Sequence, residues 1–198
     1  MASEGVLATL RAGWEALDGI PALKAVIGGL ALSAWNHARY TRDADVLVAI
    51  PVDQVDRLVA ALAAAGFHPR HSPPLRVIET QGIIQFTFQP PGSLMPFQLD
   101  VLLAETAFQQ DALVRAVPRP LPGDEGEVMV VRPDDLLVIK LLAGRIIDRA
   151  DAAMVLRENR DSIDFDRLHR VIAEQGLSED YRATWLEAYP SEPVPDLS

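Results

Sequence analysis

The most informative stretch of the chain is "GGLALSAWNHARYTRDADVLVAI", residues 28–50. It follows a short strand-like segment, "KAVI", and its paired glycines lead into helical composition before a second strand, "DADVLVAI". Because strand side chains alternate between faces, Asp43 and Asp45 point to one side and Ala44 to the other. Two carboxylates on one face of an apolar strand repel each other and are costly to bury. The sequence therefore predicts a cation between them.

Three features of the chain fit a site for a metal ion and a phosphate. Oxygen ligands such as Asp43 and Asp45 suit Mg²⁺, which is commonly shared with substrate phosphates. The Gly28-Gly29 pair allows close backbone approach to a phosphate, and the following helix offers free N–H groups. Asp100, in the apolar segment "FQLDVLL", is a third acid that could complete a metal site or deprotonate a hydroxyl. Each feature alone also has a structural reading, as a solvated acid pair or a simple turn.

Length and composition set the broad class of the protein. The 198 residues suit one compact domain, and the absence of cysteine excludes disulfides and thiolate metal sites. We see no signal peptide and no apolar run long enough to span a membrane, so we expect a cytoplasmic protein with no membrane partner. The net charge of −10 argues against a broad, sequence-blind grip on nucleic acid, although a local basic groove remains open.

The remaining patterns predict an α+β fold, with a small mixed β-sheet flanked by helices and a helical region after it. Strands are expected at 75–80 and 82–89, joined by a tight turn around Gln81-Gly82, and the Pro-rich connection from Pro118 to Gly126 is the candidate hinge. The predicted divisions are 1–126 for the sheet region with its N-terminal helix, 127–189 for a strand and helices packed on it, and 190–198 for a disordered tail.

Residues 24–156 resemble the nucleotidyltransferase superfamily with the DNA polymerase β-like palm. Its signature is Gly-Gly or Gly-Ser, a helix, and Asp-x-Asp in the next strand. The chain looks most like the AbiEii/AbiGii and MenT-like branch, in which an Arg and a Ser/Thr precede the acids, matched here by Arg39 and Thr41. The segment "VRPDDLLVIKLLAGRIIDRADAAMVL", residues 131–156, is similar to that branch's second conserved region.

The resemblance implies a role for each matched residue. Asp43, Asp45 and Asp100 would be the catalytic acids and bind Mg²⁺, and Lys140 would be a catalytic lysine that contacts a phosphate. The residues that would bind the nucleotide, with the glycines holding the triphosphate, are Gly28, Gly29, Arg39, Thr41, Lys140 and Asp148.

Spacing independently connects Lys140 with downstream residues. Lys140, Gly144, Asp148 and Asp151 are separated by four, four and three positions, so they line one helical face if the helix continues through Gly144. The alternative for the two aspartates is an ion-pair face with the neighbouring arginines.

The function implied is Mg²⁺-dependent transfer of NMP from an NTP to an acceptor hydroxyl. The resemblance suggests a toxin–antitoxin or phage-defence enzyme acting on tRNA or a partner protein, with a cognate antitoxin. Two alternatives stay open, namely an aminoglycoside- or lincosamide-like small-molecule nucleotidyltransferase, which fits the acidic charge better, and a non-catalytic nucleotide-binding antitoxin or regulator. The candidates for a basic tRNA-binding surface are Arg115, Arg119, Arg132, Arg145 and Arg149.

Overall fold

The computed structural model describes residues 4–37, 39–78, 80–121, 123 and 126–197. Parts of the predicted first helix, second helix, hairpin, hinge and tail (residues 1–3, 38, 79, 122, 124–125 and 198) lie outside the described residues. The helices are α1 (Glu4–Asp18), α2 (Gly28–Ala34), α3 (Val55–Ala64), α4 (Ala107–Val114), α5 (Pro133–Ala143), α6 (Ile146–Glu158), α7 (Phe165–Glu174) and α8 (Ser178–Ala188). The strands are β1 (Lys24–Ile27), β2 (Asp43–Val48), β3 (His68–Pro69), β4 (Leu75–Ile78), β5 (Gln81–Phe88), β6 (Phe97–Leu103), β7 (Val117–Pro120) and β8 (Glu127–Val130).

Over the described residues the strands form one mixed sheet in the order β3-β5-β6-β2-β1-β8-β7, with β4 paired to β5. β2 lies near its middle, antiparallel to β1 and parallel to β6. Val46 of β2 and Val101 of β6 are fully buried, as expected for central strands. The predicted α+β class is confirmed.

The two faces of the sheet have different partners. α1 packs on β2 and β6 and contacts α3, and its Gly13 lies against the Leu99 side chain. Side chains alternate along β6, so Asp100 and Leu102 point to the face opposite Leu99. On that face they line a cavity together with Ile139 and Lys140 of α5. The acidic face therefore borders a cavity between the sheet and α5.

The Pro-rich connection contains a strand that the sequence did not predict. β7 pairs antiparallel with β8, and β8 pairs parallel with β1, so both belong to the main sheet. β7 lies at the edge, where the missing N–H groups of Pro118 and Pro120 cost no internal hydrogen bond. The predicted boundary at residue 126 falls between these paired strands, and the domain bounds stay predictions.

The predicted turn at Gln81-Gly82 is displaced. Both residues belong to β5, where Gln81 pairs with Ile78 and Gly82 with Val77. The Glu105 carboxylate accepts a 2.7 Å hydrogen bond from the Gly82 N–H, which holds this end of the strand.

The helices after β8 form the C-terminal part of the structure. α6 packs on α5 and α8, and Tyr181 of α8 is fully buried. Residues 190–197 contain no helix or strand, but Arg160 makes a bidentate ion pair with Glu192 at 2.7 and 2.8 Å. Disorder of this tail in solution stays a prediction. Across the described chain, no helix has the length and apolar character needed to cross a membrane.

Candidate active site

Strand pairing brings the three predicted acids together. In the parallel β2–β6 register Asp45 lies directly opposite Asp100, and Asp43 is two residues away on the same face. One carboxylate oxygen from each of the three residues lies within 4.8 Å of the others. Within the described chain, none of these carboxylates forms a salt bridge. Three carboxyl groups thus converge without a direct ion pair to any cationic side chain of the described residues.

Neighbouring side chains orient the outer two acids. The Asp100 carboxylate accepts hydrogen bonds from the Gln98 amide at 2.7 Å and the Gln85 amide at 3.1 Å. Burial raises the pKa of Asp100, and these amide hydrogen bonds oppose the rise. The Thr41 hydroxyl donates to the Asp43 carboxylate at 2.9 Å. Gln85 and Gln98 were not predicted as site residues.

Of the three acids, Asp45 has the most strongly shifted pKa. Burial, together with the charges of Asp43 and Asp100, raises the pKa of Asp45 to about 7. Such a group holds its negative charge at neutral pH far better when a cation lies beside it. The donor set consists of carboxylate oxygens, which suits a hard divalent cation such as Mg²⁺ or Mn²⁺. The residues present therefore fit the metal that the sequence predicts.

The glycine pair packs directly against the acids. Gly28 has a φ of +63°, and a Cβ there would lie 2.0 Å from Oδ2 of Asp45. A Cβ on Gly29 would lie 2.7 Å from the Thr41 hydroxyl oxygen. Glycine is needed at both positions because the turn and the acid-bearing strand approach more closely than a side chain permits.

The predicted helical face through Lys140 and Asp148 is wrong, although its residues do meet. Gly144 has a φ of +64° in the left-handed region and ends α5, so the helix does not continue. α6 then folds back on α5. This places the Lys140 ammonium 2.9 Å from carboxylate oxygens of both Asp148 and Asp151. Lys140 is only 3% exposed, so it forms a buried ion cluster.

Two arginines connect this cluster to the cavity. The Arg39 guanidinium lies 3.1 Å from the Asp151 carboxylate, which attaches the segment before β2 to α6. Arg145 pairs with Asp148 while its side chain remains 70% exposed. The hydrogen bond to Asp148 raises the pKa of Arg145, and the charges of Asp45 and Asp43 add to the rise. Arg145, predicted only as a surface or ion-pair residue, is thus an accessible cation facing the acids.

All the predicted site residues line one cavity of about 460 Å³. These residues are Gly28, Gly29, Arg39, Thr41, Asp43, Asp45, Asp100, Lys140 and Asp148. Arg42, Arg145 and Tyr40 join them, so positive and negative groups face each other across the space.

A comparison with protein-family models matches residues 20–195 to the family described as "Nucleotidyl transferase AbiEii toxin, Type IV TA system". The chain belongs to the AbiEii nucleotidyl transferase toxin family. It is therefore an enzyme of the nucleotidyltransferase class, and the predicted relationship is confirmed. No match was found among curated protein sequences.

Solved structures share the fold of this AbiEii-family chain at low sequence identity. JHP933 from Helicobacter pylori is 14% identical with a TM-score of 0.53, over 100% of this chain and 87% of that one. The antibiotic-resistance factor ANT(2'')-Ia is 14% identical with a TM-score of 0.55, over 91% of this chain and 98% of that one. At this level of identity the likeness concerns the fold alone.

Most arginines predicted to form an RNA-binding surface are already paired. Arg115 makes ion pairs of 2.6 and 2.9 Å with the buried Asp134 and Asp135. Arg119 lies 4.3 Å from the Trp35 ring centroid and donates to a backbone carbonyl. The other two outside the cavity also have acidic neighbours, with Arg132 near Asp134 and Arg149 near Asp180. Each of these four arginines therefore already has a partner within the chain.

Proposed function

We propose that this AbiEii-family protein transfers the nucleoside monophosphate of an NTP to an acceptor hydroxyl in a Mg²⁺-dependent reaction. The observation that supports this most strongly is the convergence of Asp43, Asp45 and Asp100, unpaired with any described cationic side chain, beside a glycine turn. Mg²⁺ held by these three carboxylates would supply positive charge against the phosphates and polarise the α-phosphate.

Asp100 has the features of the group that receives the acceptor proton. Its carboxylate lies beside Asp43 and Asp45, and the amides of Gln85 and Gln98 fix its orientation. In the transfer, the acceptor oxygen forms a bond to the α-phosphorus as the bond from that phosphorus to the bridging oxygen breaks. The hydroxyl proton passes to Asp100, and pyrophosphate leaves with the electron pair of the broken bond.

The triphosphate would lie between the glycine turn and the α5–α6 junction. Gly28 and Gly29 present backbone without side chains to the cavity, and Arg145 can move toward a phosphate because most of its side chain is exposed. Lys140 adds positive charge to the cavity wall, but its two aspartate partners already compensate it. We therefore propose that Lys140 acts mainly by holding Asp148, which in turn orients Arg145.

Family membership supports a toxin–antitoxin setting with a cognate antitoxin. The acceptor is proposed to be tRNA or a partner protein. The internal pairing of Arg115 and Arg119, together with the charge of −10, gives weight to the alternative of a small-molecule acceptor.

The test is incubation with each NTP, labelled either at the α- or at the γ-phosphate, in Mg²⁺. Total tRNA, cell-lysate protein and a set of aminoglycosides and lincosamides serve as separate acceptor pools. We expect one pool to acquire the α label and none to acquire the γ label. Asp43→Asn and Asp45→Asn should abolish transfer, whereas Asp53→Asn, which removes an exposed carboxylate, should not. If the Asp43 and Asp45 variants both transferred label as well as wild-type protein, the assignment of the metal site would be refuted. Mg²⁺-dependent NTP binding without transfer would instead support the non-catalytic alternative.

A further inference from the structure

A second cavity of about 300 Å³ continues the cleft beyond the acids. The two cavities share Ile27, Leu102, Ile139 and Ala143 in their walls. Leu102 follows Asp100 by two residues on the same face of β6, which corresponds to about 6.6 Å along the strand. The second cavity therefore adjoins the one that holds the acids, and both lie between the sheet and α5.

The two halves of this cleft differ sharply in charge. The first is lined by several aspartates and by Arg39, Arg42, Lys140 and Arg145. The second, so far as the described residues show, is lined by no acidic or basic side chain. The charged side chains of the first half suit a metal ion and a triphosphate. The uncharged second half suits a neutral ring that is joined to the triphosphate by a sugar.

The walls of the second half combine apolar surface with fixed amides. Phe108 and Leu47 contribute buried apolar surface, and Leu142 lies at the rim with 44% exposure. The Gln81 amide donates to the Leu103 carbonyl at 2.7 Å, and the Gln109 amide donates to Gln81. This part of the wall is therefore held in place before any ligand binds.

Two further polar groups remain available to a ligand. Among the described residues, the Thr80 hydroxyl and the Gln175 side-chain amide, both exposed and lining this cavity, make no hydrogen bond. An amide both donates and accepts, so it can pair with the polar edge of a heterocycle. A site built to hydrogen-bond one edge discriminates against a base that leaves those groups unpaired.

We propose that the uncharged half of the cleft binds the base of the NTP, and that Thr80 and Gln175 select among bases. The proposal rests on the nucleotidyltransferase function proposed above. It follows from the juxtaposition of a charged cavity holding the acids and an uncharged, amide-walled cavity on the same sheet face.

The test compares NTPs with inorganic tripolyphosphate, which has no base. Isothermal titration calorimetry in Mg²⁺ would measure the Kd of four non-hydrolysable NTP analogues and of tripolyphosphate. Wild-type protein should bind at least one NTP analogue roughly tenfold more tightly than tripolyphosphate. Leu142→Trp, which fills the second cavity, should remove that advantage and leave the tripolyphosphate Kd unchanged. Ile146→Trp, on a 92% exposed residue that lines neither cavity, is the matched control and should change neither Kd.

Gln175→Ala supplies a test that does not depend on accommodating a tryptophan. It should reduce the differences among the four analogues while tripolyphosphate binding stays constant. The inference is overturned if no analogue binds better than tripolyphosphate, or if Leu142→Trp and Gln175→Ala both preserve the wild-type preference. Failure of both tripolyphosphate and NTP analogues to bind wild-type protein would overturn the proposed function itself, and this inference with it.

Discussion

Asp45→Asn should stabilise the metal-free protein at alkaline pH, although it destroys the proposed metal site. The pKa of Asp45 is raised from 3.8 to about 7. Because the folded-state pKa lies above the unfolded value, the protonated carboxyl contributes stability that is complete below about pH 4. That contribution is lost as the pH rises through about 7. Above this pH the fold must hold an ionised carboxylate beside Asp43 and Asp100.

The size of the effect follows from the two pKa values. The difference between 3.8 and about 7 corresponds to at most about 4 kcal/mol at roughly 1.36 kcal/mol per pKa unit. Asp45 lines an open cavity, where water screens its charge, so we expect about 1–2 kcal/mol. For a chain of this length, that gain should raise the Tm of Asp45→Asn by roughly 2–8 °C at pH 8.

Thermal unfolding in EDTA, followed by circular dichroism at pH 4 and pH 8, measures the effect. Asp53→Asn, on an exposed residue, should melt with wild type at both pH values. Mg²⁺ should stabilise wild type at pH 8 but leave Asp45→Asn unchanged, because a ligand stabilises only the state that binds it. If Asp45→Asn is no more stable than wild type at pH 8, or is stabilised equally at both pH values, then the ionised Asp45 carboxylate does not destabilise the metal-free fold.

Other substitutions test other parts of the site. Gly28→Ala should destabilise the fold by about 1–3 kcal/mol more than Gly92→Ala in urea titrations, because both have positive φ but only Gly28 has an atom, Oδ2 of Asp45, 2.0 Å from the added Cβ. Equal losses would contradict the close approach. Lys140→Met should cost up to about 3–5 kcal/mol of unfolding free energy, since it removes the buried cation that bridges Asp148 and Asp151 and leaves each of them with one arginine partner. A change below about 1 kcal/mol would exclude that ion cluster. Asp135→Ala should cost about 1–3 kcal/mol, because it removes one of the two carboxylates that pair with Arg115 and with the buried Arg167. Unchanged urea midpoints would show that this pairing is dispensable.

The local part of the site could be predicted from the sequence. Strand alternation fixes Asp43 and Asp45 on one face, and the glycine pair marks the turn before α2. Asp100 could be placed in a strand, but its position opposite Asp45 depends on the parallel register of β2 and β6. That register is set by packing between segments more than fifty residues apart, which periodicity cannot reveal.

The remaining errors have specific physical causes. The left-handed conformation of Gly144 ends α5, so Lys140 meets Asp148 through a helical hairpin rather than along one helix. Gln98 carried a detectable signal, since it precedes Asp100 by two residues on the same strand face. Gln85 carried none, because it reaches Asp100 only across the β5–β6 pairing.

We propose that three carboxylates from two strands share one divalent cation beside the nucleotide. The most direct measurement is anomalous diffraction at the manganese edge from crystals grown with Mn²⁺ and a non-hydrolysable NTP. We expect an anomalous peak within bonding distance of carboxylate oxygens from Asp43, Asp45 and Asp100, next to the α-phosphate. Bound nucleotide with the manganese peak elsewhere, or with Asp100 outside its coordination sphere, would contradict it.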